Sequence, residues 1–116
     1  MPVRFHYHDA ALTAALSGEI DHHSAGRLRE CTDEAIAKLR PRLLRLDFQD
    51  VSFMDSSAVG YVMGRYRAIS AYGATLEVVN LSAAALRMMR LSGLQSLAKL
   101  ESKPGQEEQN ERGQAS

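Results

Sequence analysis

"VSFMDSSAVGYVMGRYRAI", residues 51–69, changes period in its middle. Val51, Phe53 and Met54 extend the apolar, strand-like character of "LLRLDF" at residues 43–48. Beyond Asp55, Ser56 and Ser57 the apolar positions recur at helical spacing, at Val59, Met63, Tyr66 and Ile69. A strand that passes into a helix through a short polar break is the unit from which α/β domains are built, so this join sets the fold class. Gly60 and Gly64 share one helix face and are expected to let a neighbouring element approach closely, and Gly73 is expected to end the helix.

The same switching of period is found on either side. Upstream, Val3, Phe5 and Tyr7 alternate with Arg4, His6 and His8, the pattern of a strand with one face on the core and one in water. A second strand is expected over residues 10–17, joined to the first by a hairpin turning at His8 and Asp9. Residues 24–39 carry Leu28, Cys31, Ala35, Ile36 and Leu39 at helical spacing, and Pro41 cannot continue that helix. Downstream, "ATLEVVN" reads as a strand, Ser82 as the N-cap of a helix that turns Leu86 and Met89 inward, and Gly93 as its end. "LQSLAKLE", residues 94–101, is expected to form a last strand. The order β-β-α-β-α-β-α-β predicts one α/β domain over residues 1–101, with a mixed sheet and right-handed crossovers. Residues 102–116, with Ala115 as their single apolar residue, cannot bury enough surface to offset their ordering entropy and are expected to be a disordered polar tail.

Composition narrows the function. At 116 residues the chain suits a single compact domain, and 14 basic residues against 14 acidic ones leave no net pull toward nucleic acid or an anionic membrane. One cysteine, Cys31, excludes an intramolecular disulfide and a thiolate cluster for zinc. The pairs His6/His8 and His22/His23 have no third ligand at recognisable spacing, so neither metal nor cofactor is expected. "MPVRFHYHD" has no apolar stretch of signal-peptide length, and no run approaches the ~20 residues of a membrane span. A cytoplasmic protein is expected.

Asp55, Ser56 and Ser57 would lie at the C-terminal end of a strand and the N-terminal end of a helix, the edge where open α/β sheets place their binding sites. Unpaired N–H groups and the helix dipole make a negative group tolerable there. A structural use competes with a functional one, because Ser56 or Ser57 would also serve as a simple N-cap. An acyl-transfer triad of Ser56, a histidine from His22 or His23, and an aspartate is poorly supported. The surroundings of Ser56 are not G-x-S-x-G, and no oxyanion-hole loop is apparent.

Four blocks in order, "GEIDHHSA" at residues 18–25, "FMDSS" at 53–57, "GRY" at 64–66 and "LSGL" at 91–94, resemble the STAS-domain family, and within it the anti-sigma factor antagonists of spore-forming bacteria. The likeness runs from about Val3 to Glu101. It implies a single STAS domain that is a ligand and substrate of other proteins and no enzyme. In the family, an anti-sigma factor that is also an ATP-using serine kinase phosphorylates the first serine of the D-S-S motif. That position is Ser56 here. The unphosphorylated form binds the anti-sigma factor and frees the sigma factor, and a serine phosphatase regenerates it. The resemblance thus implies control of transcription during sporulation, with Asp21, Asp55, Ser56 and Ser57 as partner-binding residues. For Asp21 a helix-end acid favoured by the dipole is the competing reading. Arg65 and Arg67 are expected on a solvated helix face, where they could also line the partner surface. Ala58 stands where the family usually has glycine, and relatives commonly end in a further helix that residues 102–116 have no apolar face to build. The alternative within the family is a STAS regulatory module of another partner-switching or small-ligand system.

Overall fold

The computed structural model describes residues 2–105. Its elements are β1 Val3–His8, β2 Ala11–Ile20, α1 Ala25–Leu39, β3 Leu43–Met54, α2 Ser56–Ser70, β4 Thr75–Leu81, α3 Ala83–Leu91, a single 3-10 turn Leu94–Ser96, and β5 Lys99–Ser102. The five strands form one sheet in sequence order, with β1 antiparallel to β2 and the others parallel. This is the expected mixed α/β sheet. The β1–β2 hairpin turns at Asp9 and Ala10, both at positive φ, as a two-residue turn matched to strand twist requires.

Alternation within the strands sorts residues to the two faces. Leu12, Ala14 and Leu16 of β2, Leu44, Leu46 and Phe48 of β3, and Leu76 and Val78 of β4 are buried. With Leu28 and Ile36 of α1, Val62 and Ile69 of α2, and Leu86 and Met89 of α3 they make one core. The intervening residues form a polar ladder on the opposite face, where Arg45 Nε donates to Glu77 Oε1 at 3.0 Å and Nη1 to Thr13 Oγ1 at 3.4 Å.

Five expectations need correction, the last of them at Arg65. The strand expected over residues 94–101 is confined to Lys99–Ser102; Leu94 is buried as the anchor of the 3-10 turn, which starts from Gly93 at φ 83°. Gly60 and Gly64 have nothing within 4 Å of where a Cβ would stand, so no neighbour makes use of their small size. The most buried face of α2 is Ala58, Tyr61, Val62, Arg65 and Ile69, one position off the expected stripe; Val59, Met63 and Tyr66 are only half-buried. Phe5 and Tyr7 are 39% and 44% exposed, because β1 is an edge strand and the core covers only Val3 of its apolar face. The expected tail lies outside the described residues beyond Gly105, while Ser102 completes β5 and the Lys103 amide donates to the Leu81 carbonyl at 2.9 Å.

Arg65 is the largest departure, since it is 4% exposed where a solvated side chain was expected. Its Nε lies 2.7 Å from Asp33 Oδ1, its Nη2 donates to Asp33 Oδ2 at 3.2 Å, and its Nη1 donates to the Tyr61 carbonyl at 3.3 Å. The neighbouring Tyr61 hydroxyl is 2.7 Å from Thr32 Oγ1, which donates to the Leu28 carbonyl. Burial pushes the Tyr61 hydroxyl pKa up to about 12, so it stays neutral in this packing. The α1–α2 seam is therefore polar and its charges are paired, with Arg65 Nε and Asp33 Oδ1 meeting as an ion pair without hydrogen-bond geometry. Its two charges are unequally buried, the side chain of Arg65 being 5% exposed and that of Asp33 43%. Asp33→Ala strands a buried guanidinium and should cost about 3 kcal/mol, whereas Arg65→Met leaves a carboxylate that water can reach and should cost distinctly less. Chemical denaturation with unchanged m-values checks the order.

Candidate functional site at the C-terminal edge of the sheet

Because β2, β3 and β4 are parallel, the N-termini of all three helices gather at one edge of the sheet. The pairing of β2 with β3 runs to Ile20 opposite Met54 and is closed by the Asp55 amide, which donates to the Ile20 carbonyl at 3.2 Å. Asp21 and Asp55 therefore leave the sheet side by side. The site predicted from residues 21 and 55–57 is brought together by strand register alone.

Asp55 is the N-cap of α2, and its Oδ1 accepts from the Ser57 amide at 2.8 Å. Neither serine caps the helix, so the purely structural reading of Ser56 and Ser57 falls away. Ser56 is exposed and Ser57 half-buried, while Ala58 behind them is fully buried. The hydroxyl of Ser56 thus stands in solvent on the first turn of a helix whose end carries a partial positive charge.

Asp21 organises the loop between β2 and α1. Its Oδ1 accepts from the amides of His23 and Ser24, both at 2.9 Å, and its own amide donates to Ser24 Oγ at 3.0 Å. Ser24 Oγ in turn donates to the Glu19 carbonyl at 2.8 Å. The bond from the Ser24 amide is the main reason that the Asp21 carboxyl is held below the usual carboxylate range. Asp21 stays charged and fixed, one strand away from Ser56.

His22 and His23 are exposed and meet each other edge to face, with ring centroids 5.8 Å apart. The Asp21 carboxylate accepts from the His23 and Ser24 backbone amides. Among the described residues no group of three or more His, Cys, Asp or Glu side chains is placed to hold a metal. No helix among them is long and apolar enough to cross a membrane.

Phe53 was not singled out from the sequence, yet its side chain is 54% exposed just ahead of Asp55. It lies opposite exposed Glu19 of β2, where the sheet has split. Asn80, at φ 60°, turns β4 away and donates to Asp47 Oδ1 at 2.8 Å, an oxygen that also accepts from the Gln49 amide. Beyond Asp47, β3 continues with β2 alone at its side. A cleft of about 220 Å³ opens between the projecting strand and α3, with Phe48, Phe53, Met54, Ala85 and Met88 among its walls and Lys103 at its border. An exposed aromatic beside a small apolar cleft is the kind of anchor that protein interfaces use.

With this geometry in place, the comparisons with known proteins are informative. The STAS domain family matches residues 3–106. The anti-sigma F factor antagonist of Paenibacillus polymyxa is 33% identical over 94 residues, which cover 81% of this chain and 80% of the relative. Among solved structures, the anti-sigma factor antagonist SpoIIAA in its unphosphorylated form superposes with a TM-score of 0.73 at 27% identity, covering 98% of this chain and 97% of that one. The Bacillus cell fate determinant SpoIIAA in its phosphorylated form gives 0.69 at 28% identity, over 95% and 97% of the two chains. The family match spans the whole sheet and all three helices, and a relative one-third identical shares four-fifths of its length: the chain belongs to the STAS-domain family, in the branch of the anti-sigma factor antagonists.

Proposed function

We propose that this protein is an anti-sigma factor antagonist switched by phosphorylation of Ser56. Unphosphorylated, it binds an anti-sigma factor that is also a serine kinase, and the sigma factor held by that kinase is released. Transfer of the γ-phosphoryl group of the kinase's ATP to Ser56 Oγ ends the binding, and a serine phosphatase restores it. The protein acts as ligand and substrate in the cytoplasm and catalyses neither step. Control of sporulation genes follows from its likeness to SpoIIAA. The observation that carries this reading is that Asp55 caps α2 and leaves the Ser56 hydroxyl exposed at the helix N-terminus.

The chemistry of the switch is electrostatic. A phosphate brings roughly −1.5 to −2 charges to a turn already flanked by the carboxylates of Asp55 and Asp21. The helix end tolerates that charge in the free protein, where water also reaches it. Against a partner the same charge would be enclosed beside two like charges, and an unpaired enclosed charge costs about 3–5 kcal/mol. At about 1.4 kcal/mol per tenfold, that is two to three powers of ten in affinity, without any refolding of the domain. Phe53 supplies apolar contact area next to the switch, and Asp21, Asp55 and Ser57 give the partner a fixed pattern of charge and hydrogen-bonding groups to recognise.

Incubated with ATP and the kinase captured from its native cytoplasm, the intact protein should gain the mass of one phosphate, and Ser56→Ala should abolish the gain. Phosphate on Ser57, or a gain that survives Ser56→Ala, contradicts the assignment. For Asp21, Asn keeps an oxygen that can accept from the His23 and Ser24 amides, so Asp21→Asn should fold normally but be phosphorylated more slowly or bind the kinase more weakly. Its effect on stability has a sign. A carboxyl whose folded pKa lies below 3.8 contributes stability that is present above that pH and is lost as the pH falls through the folded value. The melting-temperature difference between wild type and Asp21→Asn should therefore shrink on acidification below pH 3.8.

A further inference from the structure

The outer edge of β1 is regular, apolar on one side, and paired with no other strand among the described residues. Its six residues pair with β2 without a bulge, from Val3 opposite Leu16 to His8 opposite Ala11. The Ser17 amide donates to the Pro2 carbonyl at 2.9 Å, which fixes the phase of the antiparallel ladder. Residues 2, 4, 6 and 8 exchange their backbone bonds with β2, so the N–H and C=O groups of Phe5 and Tyr7 point away from the sheet. The same two residues carry the exposed aromatic side chains. Free backbone groups and free apolar area thus occur together.

The helix behind this edge is built to match. Cys31, Ala35 and Leu39 form a flank of α1 that the core covers only partly, and with Phe5, Glu34 and Lys38 they line a shallow groove between α1 and β1. Natural edge strands are usually blunted by a bulge, by proline or by charges along the edge. Here the register is unbroken, and Arg4, His6 and His8 alternate with the aromatics, on the sheet face away from the core.

We infer that the outer edge of β1 is a self-association surface, on which a second copy of this chain pairs antiparallel with the first to join the two sheets. A second copy suits the edge because the edge complements itself. Antiparallel pairing about a two-fold axis at His6 sets Phe5 opposite the partner's Tyr7 and Tyr7 opposite the partner's Phe5, both as hydrogen-bonded pairs with aromatic contact across the strands. The α1 helices, which run roughly along β1, are then antiparallel to each other. Glu34, one turn before Lys38 on the groove rim, faces the partner's Lys38, and the reverse contact follows by symmetry. An unrelated extended peptide would meet the backbone edge but not this reciprocal charge pattern.

Sedimentation velocity across a concentration series up to about 1 mM should show a reversible monomer–dimer equilibrium. Phe5→Lys and Tyr7→Lys should each weaken it at least about tenfold while circular dichroism shows the fold retained. Amide exchange gives a readout independent of the variants. The amides of Phe5 and Tyr7 should gain protection as concentration rises, while that of His6 is protected throughout. A single monomeric species over the whole series, a dimer that both substitutions leave intact, or Phe5 and Tyr7 amides that exchange freely in the dimer would overturn the inference.

Discussion

Parallel pairing of β2 with β3, carried to Ile20 and Met54 and closed by the Asp55 amide on the Ile20 carbonyl, constrains everything at the functional edge. Two parallel strands that end together must send their following segments out of the sheet together. The loop held by Asp21 and the helix capped by Asp55 are neighbours for that reason and need no contact of their own to be so. Once Asp55 has taken the cap, the first residue of α2 has no structural duty, and Ser56 can be modified without loss of a hydrogen bond that the fold uses.

The site works because charge is handled differently at its two levels. Within the domain the buried charge is paired: Arg65, deep in the α1–α2 seam, lies against both oxygens of Asp33 and the Tyr61 carbonyl. At the edge, Asp21 and Asp55 have part of their charge met by backbone amides and the rest by water. A third negative group on Ser56 is acceptable while water remains and unacceptable once a partner displaces it. The proposed switch then acts on association and leaves the fold alone.

Much of this was legible in the sequence because it is local. The changes of period at residues 8–11, 55–58 and 82–83 mark real element boundaries, and the polar break at Asp55 marks the start of α2. What was not legible depends on partners distant in sequence. Arg65 looks like a surface residue until Asp33, 32 residues away, is known to face it. The alternation of Val3, Phe5 and Tyr7 reveals which way they point but not whether anything lies over them, and at the sheet edge little does. Phe53 lies beyond the point where β3 stops pairing with β4, a limit that no local pattern in β3 announces. The glycines of α2 were misleading in the other direction, since helical spacing of small residues permits close packing without requiring it.

The central claim is that one phosphate on Ser56 ends partner binding by its charge. Titration calorimetry of the kinase partner against the unmodified and the Ser56-phosphorylated protein, at one ionic strength, measures this directly. The account predicts an affinity lower by about two to three powers of ten for the phosphorylated form, with circular dichroism and melting temperature nearly unchanged. Equal affinities for the two forms, or a loss of binding accompanied by unfolding of the domain, would contradict it.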